Sequence, residues 1–411
     1  MILAIVFYLS TQQPIASYQS VDLTHPDIVV LLFAFLAVGK LVKRALSRSS
    51  RSDYLPRQIT IALVLMLTSA LLSTLVAQDT VRAAAGSVQV IEFGLLALCV
   101  SYLVSHDDVF RILHFLLLVL LLEALLAFQQ VAAGDPEPAG TFFKNQKYAI
   151  FEGAGAAVAL GLLAGIRTKT KAFVYMGTMC ILAFGSLVGQ KRAAWLSLLI
   201  AGLSVVSLQR DHRRKALILV LSGVLLVSLA VLTVPSVREA VGARLDEARS
   251  YQTRGNTLYS RFLLWTTAWD LFLEHPLLGI GPKNYLSVVP GLLEDRDLLG
   301  SPTLDAHNVW LGMLAEQGIL GFCAYIYMCY AILMLGRRGF INAQSDSERA
   351  LYLGYIAYHA FWFCMSYNYF TKAEGHLHFM MIGMAAGFQR VSAAVPPIAT
   401  YKHLQSPAAR T

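Results

Sequence analysis

The feature that most constrains the fold of this chain is a series of long apolar runs. Twelve runs approach the roughly 20 residues that a helix needs to cross the hydrocarbon core of a bilayer. They cover about 1–12, 28–44, 58–78, 83–104, 111–133, 147–166, 172–190, 193–208, 216–235, 306–336, 350–370 and 376–395. Strands of membrane barrels alternate only weakly in hydrophobicity, so continuous runs favour helices. The sequence predicts an all-α polytopic membrane protein with about twelve transmembrane helices.

Composition excludes the common soluble classes. Of the 411 residues, 56% are hydrophobic and 14% are charged, whereas soluble proteins carry about 25% charged residues. A soluble enzyme, a disordered chain and a single-pass receptor are therefore excluded. The net charge of +8 is interpreted as a topology signal, and no nucleic-acid partner is expected. The five cysteines lie in apolar runs without zinc spacing, which predicts small hydrophobic residues and not metal ligands.

The distribution of charge predicts the orientation. Twelve spans place both termini on one side of the membrane, and that side carries 20 of the 33 Lys and Arg residues but only six of the 25 acidic ones. Basic residues accumulate on the cytoplasmic side of membrane proteins. We therefore expect both termini to be cytoplasmic.

One external segment is much longer than the others. The predicted division is nine transmembrane helices over 1–235, an external loop over 236–305, three further helices over 306–395 and a cytoplasmic tail over 396–411. Within the loop, apolar residues recur at helical spacing from Leu258 to Glu274, which predicts an amphipathic helix lying in the plane of the membrane interface.

Basic residues on the external side depart from the charge rule. Lys191 and Arg192 occupy a tight external turn, and Arg261 shares a helix face with Trp265, four residues later. One interpretation is that these side chains snorkel to the interface. The other is a phosphate clamp, since Arg offers a planar fork of donors and Lys a point charge.

Two short motifs follow in and after the loop. Gly279-Ile-Gly281-Pro282 is either a plain turn or a backbone nest for an anion. In Asp305-Ala-His307-Asn308, Asp305 is expected to cap the tenth span and His307 to lie in its first helical turn as a neutral proton acceptor. The alternative is an interfacial histidine that only hydrogen-bonds the backbone.

Acidic residues raise two further questions. Glu92, Glu123, Glu152 and Glu316 fall within spans, where carboxylates are either functional or paired between helices. Glu316 follows His307 by two and a half turns, so it is not expected to orient that histidine. Asp295-Arg-Asp297 resembles an Asp-x-Asp metal motif but is interpreted as a solvated loop. We predict no metal ligands and no cofactor.

Together these motifs resemble the O-antigen ligase and polymerase superfamily of bacterial inner membranes. The resemblance covers roughly residues 140–325. It rests on Arg261 with Trp265 running into Pro276 and Gly279-Ile-Gly281, on His307-Asn308 followed by Glu316-Gln-Gly318-Ile-Leu-Gly321, and on Lys191-Arg192 before the loop. Gly140-Thr-Phe with Asn145 is a fainter likeness, because the family's Asn-Pro is Asn-Gln here.

The resemblance implies a GT-C-like, metal-independent, inverting glycosyltransferase of the Gram-negative inner membrane, acting at the periplasmic face. Its donor would be undecaprenyl diphosphate-linked O-antigen, and its acceptor the lipid A–core oligosaccharide. It implies His307, Arg261 and Arg192 as catalytic residues. Substrate-binding roles go to Lys191, Arg192, Arg261, Gly279, Gly281 and Asn308.

Two other functions remain open at this stage. An O-antigen polymerase would use a second lipid-linked glycan as its acceptor. A polytopic transporter or flippase would account for glutamates within spans, but no internal repeat is visible and the informative polar residues gather on one external face.

Overall fold

A computed structural model describes residues 55–208, 257–292, 305–365 and 372–394 continuously, with parts of 1–35 and scattered positions between 221 and 249. A two-stranded antiparallel hairpin is formed by β1 (Ala16–Tyr18) and β2 (Val21–Leu23). The helices are α1 (Arg57–Thr74), α2 (Thr80–Leu103), α3 (His106–Ala132), α4 (Asn145–Gly165), α5 (Lys169–Val188), α6 (Arg192–Leu208), α7 (Thr257–Glu274), α8 (Tyr285–Leu292), α9 (Val309–Asn342), α10 (Asp346–Met365) and α11 (Lys372–Ala394).

Nine of the twelve expected spans occur as helices within a few residues of their predicted bounds, namely α1 to α6 and α9 to α11. Of these, α1 to α5 and α9 are long and apolar enough to cross a membrane. The expected spans at 1–12, 28–44 and 216–235, and the domain boundary at 235, lie wholly or partly outside the described residues. Twelve spans therefore remain a prediction, whereas a helical, multi-span architecture is confirmed.

Local sequence sets several helix starts. Asp79 caps α2 by accepting the Arg82 N–H at 3.0 Å. Ser105 and Asp108 form a reciprocal capping box at the start of α3, where the first orphan N–H groups need acceptors. The turns before α2 and α3 are thus fixed by the capping side chains of Asp79 and of Ser105 with Asp108.

The centre of the bundle is formed by α4 and α10, which pack closely on each other. Almost every residue of both helices is buried. A Cβ on Gly161 would overlap the backbone of Leu353 and Gly354. Small residues at this crossing let the two backbones approach, which is the usual way of packing helices inside a membrane.

The last two helices are less apolar than the others because they bury polar aromatic and histidine side chains. The Tyr358 hydroxyl lies 2.9 Å from Nδ1 of His378, and both residues are buried between α10 and α11. Such partners make polar groups tolerable in the interior. This explains why α10 and α11 are as long as a span but less hydrophobic.

The glutamates within spans have different surroundings. Glu123 accepts hydrogen bonds from the N–H and the hydroxyl of Thr141, both at 2.7 Å, so it fixes the loop between α3 and α4. Glu92 lies 2.7 Å from His376, a structural pairing between α2 and α11. Glu152 is completely buried in α4, and neither of its carboxylate oxygens has a hydrogen-bond partner in the described part of the chain.

Candidate functional site

The predicted site residues gather at one end of the bundle, which we call the site end. This end carries the α1–α2 turn, the starts of α4, α6 and α11, and the described segments 257–292 and 305–308. Asn284 ties that segment to the α1–α2 turn, because its carboxamide accepts the Asp79 N–H at 2.8 Å and donates to the Asp79 carbonyl at 3.1 Å. The long loop is thus anchored on the helices.

The loop helix α7 confirms the helix expected from Leu258 to Glu274. Its buried side consists of Leu264, Ala268 and Leu271, which share a small core with Ala306 and with residues of α8 and α9. Arg261 precedes Leu264 by three residues and Ala268 by seven, so it lies on this inward side of α7. Ala306, which directly precedes His307, belongs to this core, so the core joins α7 to the segment that carries His307.

A break in α9 organises the centre of the site end. Gly318 has φ of +61°, a left-handed conformation, and interrupts the helix after its first nine residues. The segment 276–281 lies along the break. Four backbone hydrogen bonds join the two: Ile280 to Ala315, Gly281 to Glu316, Ile319 to Pro276 and Leu320 to Leu277. A broken membrane helix leaves backbone N–H and carbonyl groups without partners inside the helix. Residues 276–281 supply those partners here.

This arrangement favours the plain turn over the anion nest as the interpretation of Gly279 and Gly281. The Gly279 N–H donates to the His275 carbonyl at 2.9 Å and the Gly281 N–H to the Glu316 carbonyl at 2.9 Å. Both glycines have positive φ, and a Cβ on Gly279 would overlap the backbone at Glu316. The two glycines allow the backbones of residues 276–281 and of α9 to approach closely. Their assignment to substrate binding stays a prediction.

Glu316 belongs to the same structural unit. Its carboxylate accepts the Tyr285 N–H at 3.2 Å, while its carbonyl accepts the Ser73 hydroxyl at 2.7 Å. Tyr285 in turn donates its hydroxyl to the Leu264 carbonyl at 2.6 Å. Burial, with the charges of Asp305 and Glu316, raises the pKa of Tyr285 well above its usual range, so the phenol stays a donor.

We expect Gly318→Ala to destabilise the protein. A Cβ at this position would overlap the Leu277 backbone, and positive φ adds about 1–3 kcal/mol of strain for a residue with a side chain. Thermal unfolding in detergent should show a clear drop in the transition temperature. The matched control is Gly312→Ala in the same half-helix, where the nearest atom to the new Cβ is 3.8 Å away. Equal transition temperatures for the two variants would contradict this account of the break.

The start of α9 differs from the expected one. Asn308, not Asp305, is the N-cap, and its side-chain oxygen accepts the N–H groups of Trp310 and Leu311 at 3.0 and 3.4 Å. His307 therefore precedes the helix and is not in its first turn. The prediction failed because Asp and Asn are both good caps and the sequence does not decide between them. The substrate-binding role of Asn308 stays a prediction beside this structural one.

His307 is held by Asp305. Nδ1 of His307 lies 2.8 Å from Oδ1 of Asp305, and the same oxygen accepts the His307 N–H at 2.9 Å. His307 also has φ of +44°, a strained conformation that residues with a side chain adopt mainly at functional sites and tight turns. When the ring is neutral and its Nδ1–H is directed to this carboxylate, Nε2 has a lone pair and can accept a proton.

The charge state of Asp305 supports this pairing. Burial favours the neutral acid, but the hydrogen bonds and charge of His307, with the charge of Lys147, outweigh burial and lower the pKa of Asp305 below its usual range. A lowered pKa means that the pair contributes to stability above the usual pKa of Asp. This contribution is lost as pH falls through the lowered value. The carboxylate is therefore ionised at neutral pH.

The predicted Lys191–Arg192 turn lies at the start of α6. Nζ of Lys191 lies 3.2 Å from the Gln146 side-chain oxygen at the start of α4. Arg192 is the first residue of α6, where the partial positive charge of a helix start disfavours a cation. A guanidinium held in this position is suited to an anion that approaches the same helix start.

Lys147 connects this turn with His307. It forms an ion pair with the buried Glu374 at the start of α11, and its charge also acts on Asp305. Neither Lys147 nor Glu374 was predicted as a site residue. Lys147 follows Gln146 directly, so the start of α4 carries both the contact of Lys191 and a charge that acts on Asp305.

The predicted role of His307 stays a prediction, whereas the predicted role of Asp305 as the helix cap is wrong. An Asp two residues before a His was the available signal, and it was interpreted only as a cap. Asp295 and Asp297 lie outside the described residues, so their interpretation as a solvated loop stays a prediction.

These features define a class: a polytopic helical membrane protein with a histidine–carboxylate pair and several cations at one end. Residues 172–326 match the family model described as O-antigen ligase. The match includes Arg192, Arg261, Gly279, Gly281 and His307, and it confirms the resemblance to the O-antigen ligase and polymerase superfamily. No curated protein sequence matches the chain.

Proposed function

We propose that this protein is an O-antigen ligase that transfers O-antigen from undecaprenyl diphosphate to the lipid A–core oligosaccharide. The observation that carries the proposal is the Asp305–His307 pair, with 2.8 Å between Nδ1 and the carboxylate, inside a segment that matches O-antigen ligase. The site end would then face the periplasm of a Gram-negative inner membrane, with both termini in the cytoplasm, in agreement with the charge distribution.

Cations at the membrane surface would bind the donor. In undecaprenyl diphosphate the lipid chain is the membrane anchor, and the diphosphate is a good leaving group once its developing charge is stabilised. Arg192 and Arg261 are proposed to hold the two phosphates, with Lys191 beside them, because guanidinium and phosphate form paired charge-assisted hydrogen bonds. The position of Arg192 at a helix start and of Arg261 on the inward side of α7 supports this assignment.

His307 would activate the acceptor. Its Nε2 accepts the proton of a sugar hydroxyl while that oxygen attacks the anomeric carbon, and Asp305 stabilises the imidazolium that forms. The bond from the anomeric carbon to the phosphate oxygen breaks on the opposite face, which inverts the configuration. Undecaprenyl diphosphate leaves with the electron pair, which is the step that the arginines assist.

A competition between acceptors tests the ligase assignment. The purified protein is reconstituted in liposomes with lipid-linked glycan and is offered lipid A–core. In parallel it is offered only more lipid-linked glycan. A ligase extends lipid A–core and leaves the lipid-linked glycan at its original length. Elongation of the lipid-linked glycan would instead assign the protein as an O-antigen polymerase.

Transfer is expected to survive removal of divalent cations. In this mechanism guanidinium groups, not a metal, stabilise the leaving diphosphate. Transfer should be measured with a strong chelator present, at a temperature well below the thermal transition of the chelated protein. Strict dependence of the rate on magnesium or manganese would contradict stabilisation by guanidinium groups. It would instead support Asp295 and Asp297 as metal ligands.

A further inference from the structure

A second cluster of ligating side chains contains none of the residues to which the mechanism assigns a role. Nε2 of His376 in α11 lies 2.7 Å from Oε1 of Glu92 in α2 and 3.6 Å from Oδ1 of Asp27, which follows the β1–β2 hairpin. One ligand atom from each of the three residues lies within 4.8 Å of the other two. His376 has no exposed surface, and only 8% of the Asp27 side chain is exposed.

A buried amide nearby is an independent sign of a ligand. Gln89 precedes Glu92 by three residues, so both lie on the same face of α2. Gln89 is only 3% exposed, and neither atom of its carboxamide has a hydrogen-bond partner in the part of the chain that the structure describes. Leaving such a group unpaired destabilises the fold, and an amide oxygen is a common ligand for cations.

The charges of the cluster indicate the kind of ligand. Two carboxyl groups face one imidazole in this cluster. Glu92 has His376 as its ion-pair partner among the described residues. A divalent cation would compensate two carboxylates and a neutral imidazole. An imidazole nitrogen with carboxylate oxygens suits zinc or manganese better than calcium or magnesium, which prefer oxygen ligands alone.

We propose that Asp27, Glu92 and His376 bind one Zn²⁺ or Mn²⁺ ion, with Gln89, about one turn earlier on α2, as a candidate fourth ligand. Ligand atoms of a tetrahedral zinc site are roughly 3.3 Å apart, since each lies about 2.0 Å from the metal. The Glu92–His376 contact would therefore open slightly, while the Asp27–His376 separation already fits. Such an ion would fasten the N-terminal segment to α2 and α11, independently of the proposed transfer reaction.

The test uses the full-length protein in detergent, purified through an affinity tag that contains no histidine. After treatment with a chelator, the protein is titrated with ZnCl₂ and separately with MnCl₂ by calorimetry, and its thermal unfolding is recorded. We expect one equivalent of one of these ions to bind and to raise the transition temperature. Glu92→Gln preserves the shape and a hydrogen bond to His376 but removes a charge, so binding should weaken at least tenfold.

Asp27→Asn provides a second variant should Glu92→Gln fail to fold, because Asn can still accept the Thr24 N–H that Asp27 accepts at 2.6 Å. Asp135→Asn, in an exposed loop, is the matched control and should bind like the wild type. The proposal is overturned if the folded wild type binds neither ion stoichiometrically, or if the folded cluster variants bind as tightly as the control. The cluster would then be an ion pair alone, whatever the transfer assays show.

Discussion

Arg192→Ala and Arg261→Ala are each expected to abolish most glycan transfer while leaving the protein folded and inserted. Removing one charge-assisted partner of a desolvated phosphate costs about 2–5 kcal/mol, which corresponds to roughly 30- to 5,000-fold in affinity or rate. Lysine at either position should restore only part of the activity, because it cannot form the paired hydrogen bonds of a guanidinium. Transfer rates and the affinity for lipid-linked glycan are both measured on purified variants.

Arg82→Ala is a matched control for the arginine variants. Arg82 also lies in the first turn of a helix at the site end, but it is ion-paired with the neighbouring Asp79 at 3.5 Å. Its loss should leave donor affinity close to the wild-type value. Near-normal transfer by both Arg192→Ala and Arg261→Ala would remove the phosphate clamp from the mechanism.

His307→Ala is expected to lose transfer but to bind the lipid-linked donor with near-normal affinity. General-base assistance is worth roughly 10²–10⁴-fold in rate, and this assistance concerns the acceptor hydroxyl, not the diphosphate. Asp305→Asn should lower transfer by at least tenfold and also preserve donor binding, because the amide keeps a contact with the ring but does not stabilise its positive charge. The arginine variants, in contrast, should lose donor binding itself.

The control for this series is His275→Ala, since His275 is an exposed histidine of the same segment. It should transfer glycan at close to the wild-type rate. If His307→Ala loses donor binding as severely as the arginine variants, the general-base role is wrong. His307 would then be a further phosphate ligand, and the acceptor hydroxyl would lack an assigned base.

The membrane helices could be predicted from sequence because burial in lipid requires continuous apolar runs. The break at Gly318 could not, because the apolar pattern continues through it from Val309 onward. The break exists because carbonyl and N–H groups find partners in residues 276–281, about 40 positions earlier in the chain. The sequence indicates such long-range backbone pairing only indirectly, here through Gly279 and Gly318.

The candidate site shows the same limit. His307 was predicted because its neighbours form a local motif, and Arg192 and Arg261 were predicted because basic residues are unexpected on the external side. Lys147 was missed because its relation to Asp305 depends on how α4 packs. The cluster of Asp27, Glu92 and His376 was missed for the same reason, since its members are separated by 65 and 284 positions. A metal-ligand pattern of this kind is visible only after folding.

The site end is proposed to catalyse direct transfer of a glycan from a lipid-linked donor. The most direct measurement reconstitutes the protein in liposomes without an ion gradient and quantifies released undecaprenyl diphosphate together with glycosylated lipid A–core. The account predicts one undecaprenyl diphosphate released for each glycan transferred, an inverted anomeric configuration in the product, and neither product with His307→Ala. Movement of lipid-linked glycan across the bilayer without glycosidic bond formation, or with a requirement for an ion gradient, would contradict it and identify a transporter.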